Sequence, residues 1–174
     1  VYLKYENLQR TGSFKIRGAY NKMLSIQKDE RDSGVIAASA GNHAQGVALA
    51  ANEAGVDAKI VMPKDAAISK VEATSEYGGD NVEIVLHGVD YEDAYEHARD
   101  LEEKEGRTFV HPFDDPYVQA GQGTVGLEIL DELPDVDTVI VAVGGGGLAT
   151  GVATAVKARS PDTRVIGVQA EGAS

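Results

Sequence analysis

The amino-acid sequence predicts an α/β protein built on a parallel sheet with helices on both faces. Two observations carry that prediction. Runs of near-continuous Val, Ile and Ala, such as "GVIAAS" over 34–39 and "AKIVM" over 58–62, are those of strands covered on both sides. Between them lie longer segments of helical pattern closed by glycine, so that strands and helices alternate along the chain.

In chain order, a Gly-Ser turn at 12–13 opens a helix near Lys15. "GVIAAS" is a buried strand, and "NHAQGVALAANEAG" a helix that Gly55 closes. "AKIVM" is a second strand, stopped by Pro63, and a helix over 69–77 ends at Gly78 and Gly79. "NVEIVLH" over 81–87 is a third strand, 90–105 a long charged helix with Gly106 beyond it, and "TFVH" over 108–111 a short strand. The remaining expectations are a helix over 117–133, a strand over 137–144, a helix over 148–160 and a strand over 164–170. The loop "HPFDDP" over 111–116 carries two prolines and is the expected lobe boundary. No repeat, low-complexity tract or disordered linker interrupts this order.

The chain has 174 residues, 43% of them hydrophobic, enough for one domain or two small lobes with a core that needs no disulfide. The absence of cysteine excludes a disulfide scaffold and a thiolate metal site. With 28 acidic against 16 basic side chains the formal charge is -12. Such a surface repels nucleic acid and anionic membranes, so neither is an expected partner. It also suits a protein kept soluble in high salt. With no signal-peptide pattern and no apolar run long enough to cross a bilayer, a cytoplasmic location is the expectation.

Three stretches could carry chemistry. In "VAVGGGGLATG" over 141–151 a strand runs into four glycines and a helix. Converging N–H groups and the helix dipole make such a junction an anion site. A flexible turn is the plainer alternative, although four consecutive glycines are entropically costly. A dinucleotide fingerprint is the sharper one: Gly144, Gly146 and Ala149 fit G-x-G-x-x-A, and Glu171 ends the next strand where a ribose-binding acid would stand. That fingerprint, however, normally opens its fold, and here several βα units precede it.

"SAGNHAQG" over 39–46 is a second strand-to-helix junction. Its free N–H groups, with Ser39, Asn42 and His43 beside them, suit a carboxylate, while a plain capped helix explains the same residues. His43 has no evident Asp or Ser partner, so a hydrolase triad is not indicated. In the third stretch, "RTGSFKIRGAYNKM" over 10–23, Lys15 stands between Phe14 and Ile16. It could be an ordinary amphipathic lysine. Burial would lower its pKa and leave an amine able to form a Schiff base. One amine, one phosphate cradle and one carboxylate cradle in a single chain point to pyridoxal phosphate acting on an amino acid.

The motifs together resemble the threonine/serine dehydratase family, in the tryptophan-synthase-β-like group of pyridoxal phosphate enzymes. "KYENLQRTGSFKIRGA" is similar to its lysine motif, "SAGNHAQGVA" to its substrate loop and "GGGGL" to its phosphate loop; "AGQGTVGLEIL" over 120–130 is similar to the segment between the last two. Order and spacing agree over essentially the whole chain, and the dinucleotide alternative gives way. The resemblance implies a parallel-sheet, two-lobe α/β fold, with 34–117 as a small mobile lobe and 1–33 and 118–174 as parts of a large cofactor-binding lobe.

It implies further that Lys15 holds pyridoxal phosphate as a Schiff base and shuttles the Cα proton, and that Phe14 packs on the ring. Asn42 would bond the ring's phenolic oxygen, and Ser39, Gly41, Asn42 and His43 the substrate carboxylate. The backbone of Gly144, Gly145, Gly146, Gly147 and Leu148 would hold the phosphate. The implied reaction converts L-threonine or L-serine to 2-oxobutanoate or pyruvate plus ammonia, with a homo-oligomer expected of the full-length protein. The family's catalytic domain is nearly twice as long, so the chain is expected to be a fragment, incomplete at both ends and inactive alone. The partner of the pyridine nitrogen would lie outside it, and a cation site would begin at Glu171. Within the family the alternative is serine racemase, where Ala40 would be a serine able to donate a proton. A non-catalytic amino-acid sensor and an NAD-binding oxidoreductase are the alternatives outside it.

Overall fold

Four parallel strands stack in the order β3-β2-β1-β4 in a computed structural model that describes residues 1–172. The strands are β1 (Val35–Ala38), β2 (Ala58–Met62), β3 (Val82–Leu86) and β4 (Thr108–Phe109). Val35 of β1 pairs with Ala58 and Thr108, and Ala58 with Val82. All four residues of β1 are buried, which is why its sequence is unbroken in hydrophobicity rather than alternating.

The two faces of this sheet divide by strand parity. Val35, Ala37, Ile60 and Met62 face one core together with Ala44, Val47, Ala48 and Ala51 of α3 (Asn42–Ala54) and Ala19 and Met23 of α1 (Lys15–Ser25). Ile36, Ala38 and Val61 face the other, against Ala94 and Ala98 of the helix Tyr91–Glu105. A second, two-stranded parallel sheet pairs Thr138–Ala142 with Arg164–Val168. Its covering helices are Pro116–Glu132 and Gly147–Arg159, which meet its Val139 and Val141 through Val125, Leu130, Val152 and Val156. In chain order the later elements are α2 (Lys28–Ser33), α4 (Ile68–Gly78), α5 (Tyr91–Glu105), α6 (Pro116–Glu132), β5 (Thr138–Ala142), α7 (Gly147–Arg159) and β6 (Arg164–Val168).

The expected elements are all present, with ends shifted by a few residues. The strand expected over 108–111 is shorter: its ladder covers Thr108 and Phe109, Val110 N–H adds one bond to Ile36 C=O, and the chain turns away before Pro112. Helix α2 was not expected, because "KDERDS" has no apolar period; a capping box between Gln27 and Glu30 forms it instead. The strands β5 and β6 are covered on one face only among the described residues, and Ile140 and Ile166 remain 69% and 43% exposed on the other.

Helices α1, α6 and α7 pack backbone against backbone at glycine. A Cβ on Gly123 would stand 2.9 Å from the Gly151 carbonyl oxygen, and one on Gly121 would strike the Arg17 carbonyl. Gly18 N–H donates to Gln122 Oε1 at 3.2 Å. Arg17 completes this joint. Its guanidinium donates to Glu6 at 2.7 and 2.9 Å, to Glu128 at 2.8 Å from Nη2 and again from Nη1, and to Thr124 Oγ1 at 2.9 Å. These bonds, Arg17 first and then Lys4, hold the Glu128 carboxyl down to about 2. Arg17→Leu strands two carboxylates and should lower stability by roughly 2 kcal/mol, read as a shift of the urea midpoint with the slope unchanged.

Candidate active site

Three loops meet at the carboxyl ends of β1, β4 and β5, where open parallel sheets place their ligands. The first part to reach them is the start of α1. Gly12, at φ +69°, makes the turn that brings Ser13 and Phe14 round, and the Lys15 N–H reaches Ser13 Oγ at 3.4 Å. From there the half-buried Lys15 Nζ donates to the Pro112 carbonyl at 2.7 Å. Burial pushes its pKa below the ordinary lysine value. Phe14 stands beside it, its ring centroid 5.6 Å from Nζ. Gly46 of α3 allows the close approach behind it, since a Cβ there would lie 3.0 Å from the Lys15 carbonyl carbon.

The mouth of α3 is the second part. Gly41 is its N-cap, and no side chain caps the helix, so its first N–H groups are unclaimed by the protein. Ser39 Oγ accepts the Gly41 N–H at 3.2 Å and shapes the turn. Asn42 is exposed at the first helical position. The His43 imidazole, by contrast, is buried. Its Nε2 lies 2.8 Å from the Val110 carbonyl oxygen, which fixes the proton on Nε2, and Nδ1 has no partner. Only the backbone of His43 is therefore presented at the mouth.

Burial pushes His43 down to about 4, with Lys15 and His111 adding to the effect against the pull of the Val110 carbonyl. Between about 6.5 and 4 the unfolded chain takes up a proton that the folded one refuses. Stability should therefore fall as pH drops through that window, by at most about 3 kcal/mol. His97 and His111, also lowered by burial, act in the same direction, whereas Glu128 acts below its ordinary 4.5. Urea denaturation at a series of pH values should show the slope, and His43→Gln should remove most of it.

The glycine loop is the third part, and its four residues differ. Gly146 takes φ +86° as the N-cap of α7, which also lacks a side-chain cap. A Cβ on Gly144 or Gly146 would meet nothing within 4 Å. Gly145 and Gly147 instead lie under Phe113: a Cβ on Gly145 would enter its ring, and one on Gly147 would come 2.8 Å from its Cβ and 2.9 Å from its Cα. Leu148 is half-buried in the core between α6, α7 and β5.

The residue set singled out in the sequence omitted the segment 111–115. Expected only as a lobe boundary, it touches both the Lys15 amine and the glycine loop. A proline-rich run directly after a parallel strand was the signal that could have found it. Glu171 is exposed, and among the described residues no group of three or more His, Asp or Glu could hold a metal ion.

A family model described as "Pyridoxal-phosphate dependent enzyme" matches residues 1–174. The chain is 57% identical over 171 residues to the L-threonine ammonia-lyase of Thermotoga maritima, covering 98% of this chain and 42% of that protein. It is 56% identical over 171 residues to the catabolic L-threonine dehydratase of Escherichia coli K12, covering 98% and 51%. The solved structure of the processed form of threonine deaminase isoform 2 from Solanum lycopersicum matches at a TM-score of 0.95 and 50% identity, over 99% of this chain and 50% of that one. The chain thus spans about half the length of the curated relatives it matches.

Proposed function

The chain belongs to the pyridoxal-phosphate dependent enzymes, and from that premise we propose that the whole protein is a deaminating dehydratase of L-threonine, L-serine or both. Its fold is that of the tryptophan-synthase-β-like group. The net reaction turns threonine into 2-oxobutanoate and ammonia, or serine into pyruvate and ammonia. The observation that carries the reading is one half-buried amine, Lys15, whose pKa burial lowers, bonded to the same strap that lies on the glycine loop, in a chain with two helix N-termini that glycine caps without a side-chain hydrogen bond.

The residues fit the cofactor. Open space stands over Gly144 and Gly146 at the mouth of α7, where N–H groups and the helix dipole would hold a phosphate. Lys15 would be the covalent anchor, Phe14 would lie against the ring, and Asn42 would meet the ring oxygen. When bound, pyridoxal phosphate supplies the electron sink that makes the substrate's Cα proton removable. The Lys15 amine takes that proton, and its lowered pKa keeps a larger share of it unprotonated near neutral pH. The N-terminus of α3, with Ser39, Gly41, Asn42 and the His43 N–H, holds the substrate carboxylate. Ala40 carries a methyl group and cannot donate a proton from the opposite face, which favours elimination over racemisation.

The expected lobes are part of the proposal. The four-stranded sheet is drawn wholly from within 34–117, and the two-stranded one from within 118–174, of which 173–174 lie outside the described residues. A cytoplasmic location and a homo-oligomer are proposed with them; among the described residues no helix is long and apolar enough to cross a membrane. The test is release of 2-oxo acid and ammonia by the full-length protein supplied with pyridoxal phosphate. Turnover of neither substrate, or inversion of serine without release, would sink the dehydratase reading.

A further inference from the structure

The strap over 111–115 crosses the site and ties together parts far apart in sequence. Its Pro112 carbonyl accepts the Lys15 Nζ bond at 2.7 Å. Its Phe113 covers Gly145 and Gly147, and the Phe113 carbonyl accepts from Gln119 Nε2 at 3.0 Å. Its Asp115 caps α6 through Tyr117 and Val118 N–H and pairs with Lys22 at 2.7 Å. The turn that lets one short segment do all this closes on a single atom. His111 Nδ1 accepts the Asp114 N–H at 2.7 Å and the Phe113 N–H at 3.3 Å, and its ring stands edge-on to Phe113 at 4.7 Å.

We propose that His111 is a positioning residue of this site, whose Nδ1 folds the strap so that Pro112 meets the Lys15 amine and Phe113 lies on the glycine loop. An Nδ1 that accepts two N–H groups must be bare, so the ring proton sits on Nε2 and the imidazole works here as an acceptor. Proline limits the strap's other freedom. It sets its own φ and biases His111 towards extended backbone, which leaves the His111 side chain to close the turn. Without that acceptor, Phe113 and Asp114 present two N–H groups to water, and both the amine's partner and the cover of the glycines move with them. For its catalytic meaning the inference rests on the cofactor reading above, whereas the turn stands on its own hydrogen bonds.

Three substitutions in the full-length protein test it. His111→Asn places Oδ1 where Nδ1 stood, His111→Gln puts its carbonyl near the Nε2 position, and His111→Ala supplies neither. Amide hydrogen exchange at Phe113 and Asp114, pyridoxal phosphate titration, and kcat and KM for deamination are the readouts. Wild type and His111→Asn should protect both amides and bind the cofactor within about threefold of each other, whereas the Gln and Ala variants should lose protection and bind about tenfold more weakly. The same two should lose kcat more than KM, since about 1 Å of misplacement at a reacting group is worth on the order of a hundredfold. Equal damage in the Asn and Ala variants, or rescue by Gln, would overturn the proposal in favour of chemistry at Nε2. Unchanged exchange in all three variants would overturn it outright. A wild-type protein that forms no cofactor adduct on Lys15 would instead sink the cofactor reading, and the exchange pattern would then decide the turn by itself.

Discussion

Lys15→Ala in the full-length protein should lower kcat for deamination by at least about a thousandfold, with no pyridoxyl adduct on that peptide after borohydride reduction. The size of the effect follows from the two duties proposed for one nitrogen, covalent anchor and base. Among the described residues the nearby lysines are held elsewhere: Lys22 is engaged with Asp115, and Lys4 with Glu128 and Glu132. The fold should survive. The amine is half-buried and its pKa is lowered by burial alone, so removing it relieves desolvation and forfeits one bond, to the Pro112 carbonyl. A thermal midpoint within a few degrees of wild type would separate lost chemistry from lost structure. Substantial turnover in this variant would end the assignment.

The glycine loop should yield the second large effect, because alanine does different things at two nearby positions. At Gly144 the added methyl meets nothing within 4 Å. It fills the open space where an anion would settle, so pyridoxal phosphate affinity should fall by about 10- to 100-fold with the thermal midpoint unchanged. At Gly147 the methyl comes 2.9 Å from Phe113 Cα and 3.0 Å from its carbonyl oxygen. Backbone cannot swing aside as a side-chain tip can. The strap must move, at a cost of roughly 1–3 kcal/mol, and cofactor affinity falls with it. Urea denaturation and cofactor titration on both variants measure the contrast. Equal destabilisation would refute the distinction between an open cradle and a covered one.

Much of the fold could be read from the chain because the relevant physics is local. The unbroken "VIAA" of β1 reports its burial on both faces. Gly55 and Gly106 close α3 and α5 in the left-handed conformation that glycine accepts, at φ +62° and +66°. The three loops of the site were equally legible as loops, since each joins an apolar run to a helix start. Other features were not. The strap over 111–115 shows in the sequence only as a proline-rich loop, because its contacts with Lys15 and the glycines join positions far apart along the chain. Helix α2 rests on one capping box, too short to leave a period.

Sequence alone settled which residue types stand where chemistry could occur: an amine in an apolar setting, and two glycine-led helix starts. Their use was settled by packing between distant parts of the chain. Lys15 finds its acceptor 97 positions away at Pro112, and Gly18 meets Gln122 across 104. The His43 ring turns in towards the Val110 carbonyl and is buried there. Periodicity, caps and backbone propensity act over a few residues and are written in order along the chain, whereas these contacts exist only once the cores have closed and brought three strand ends together.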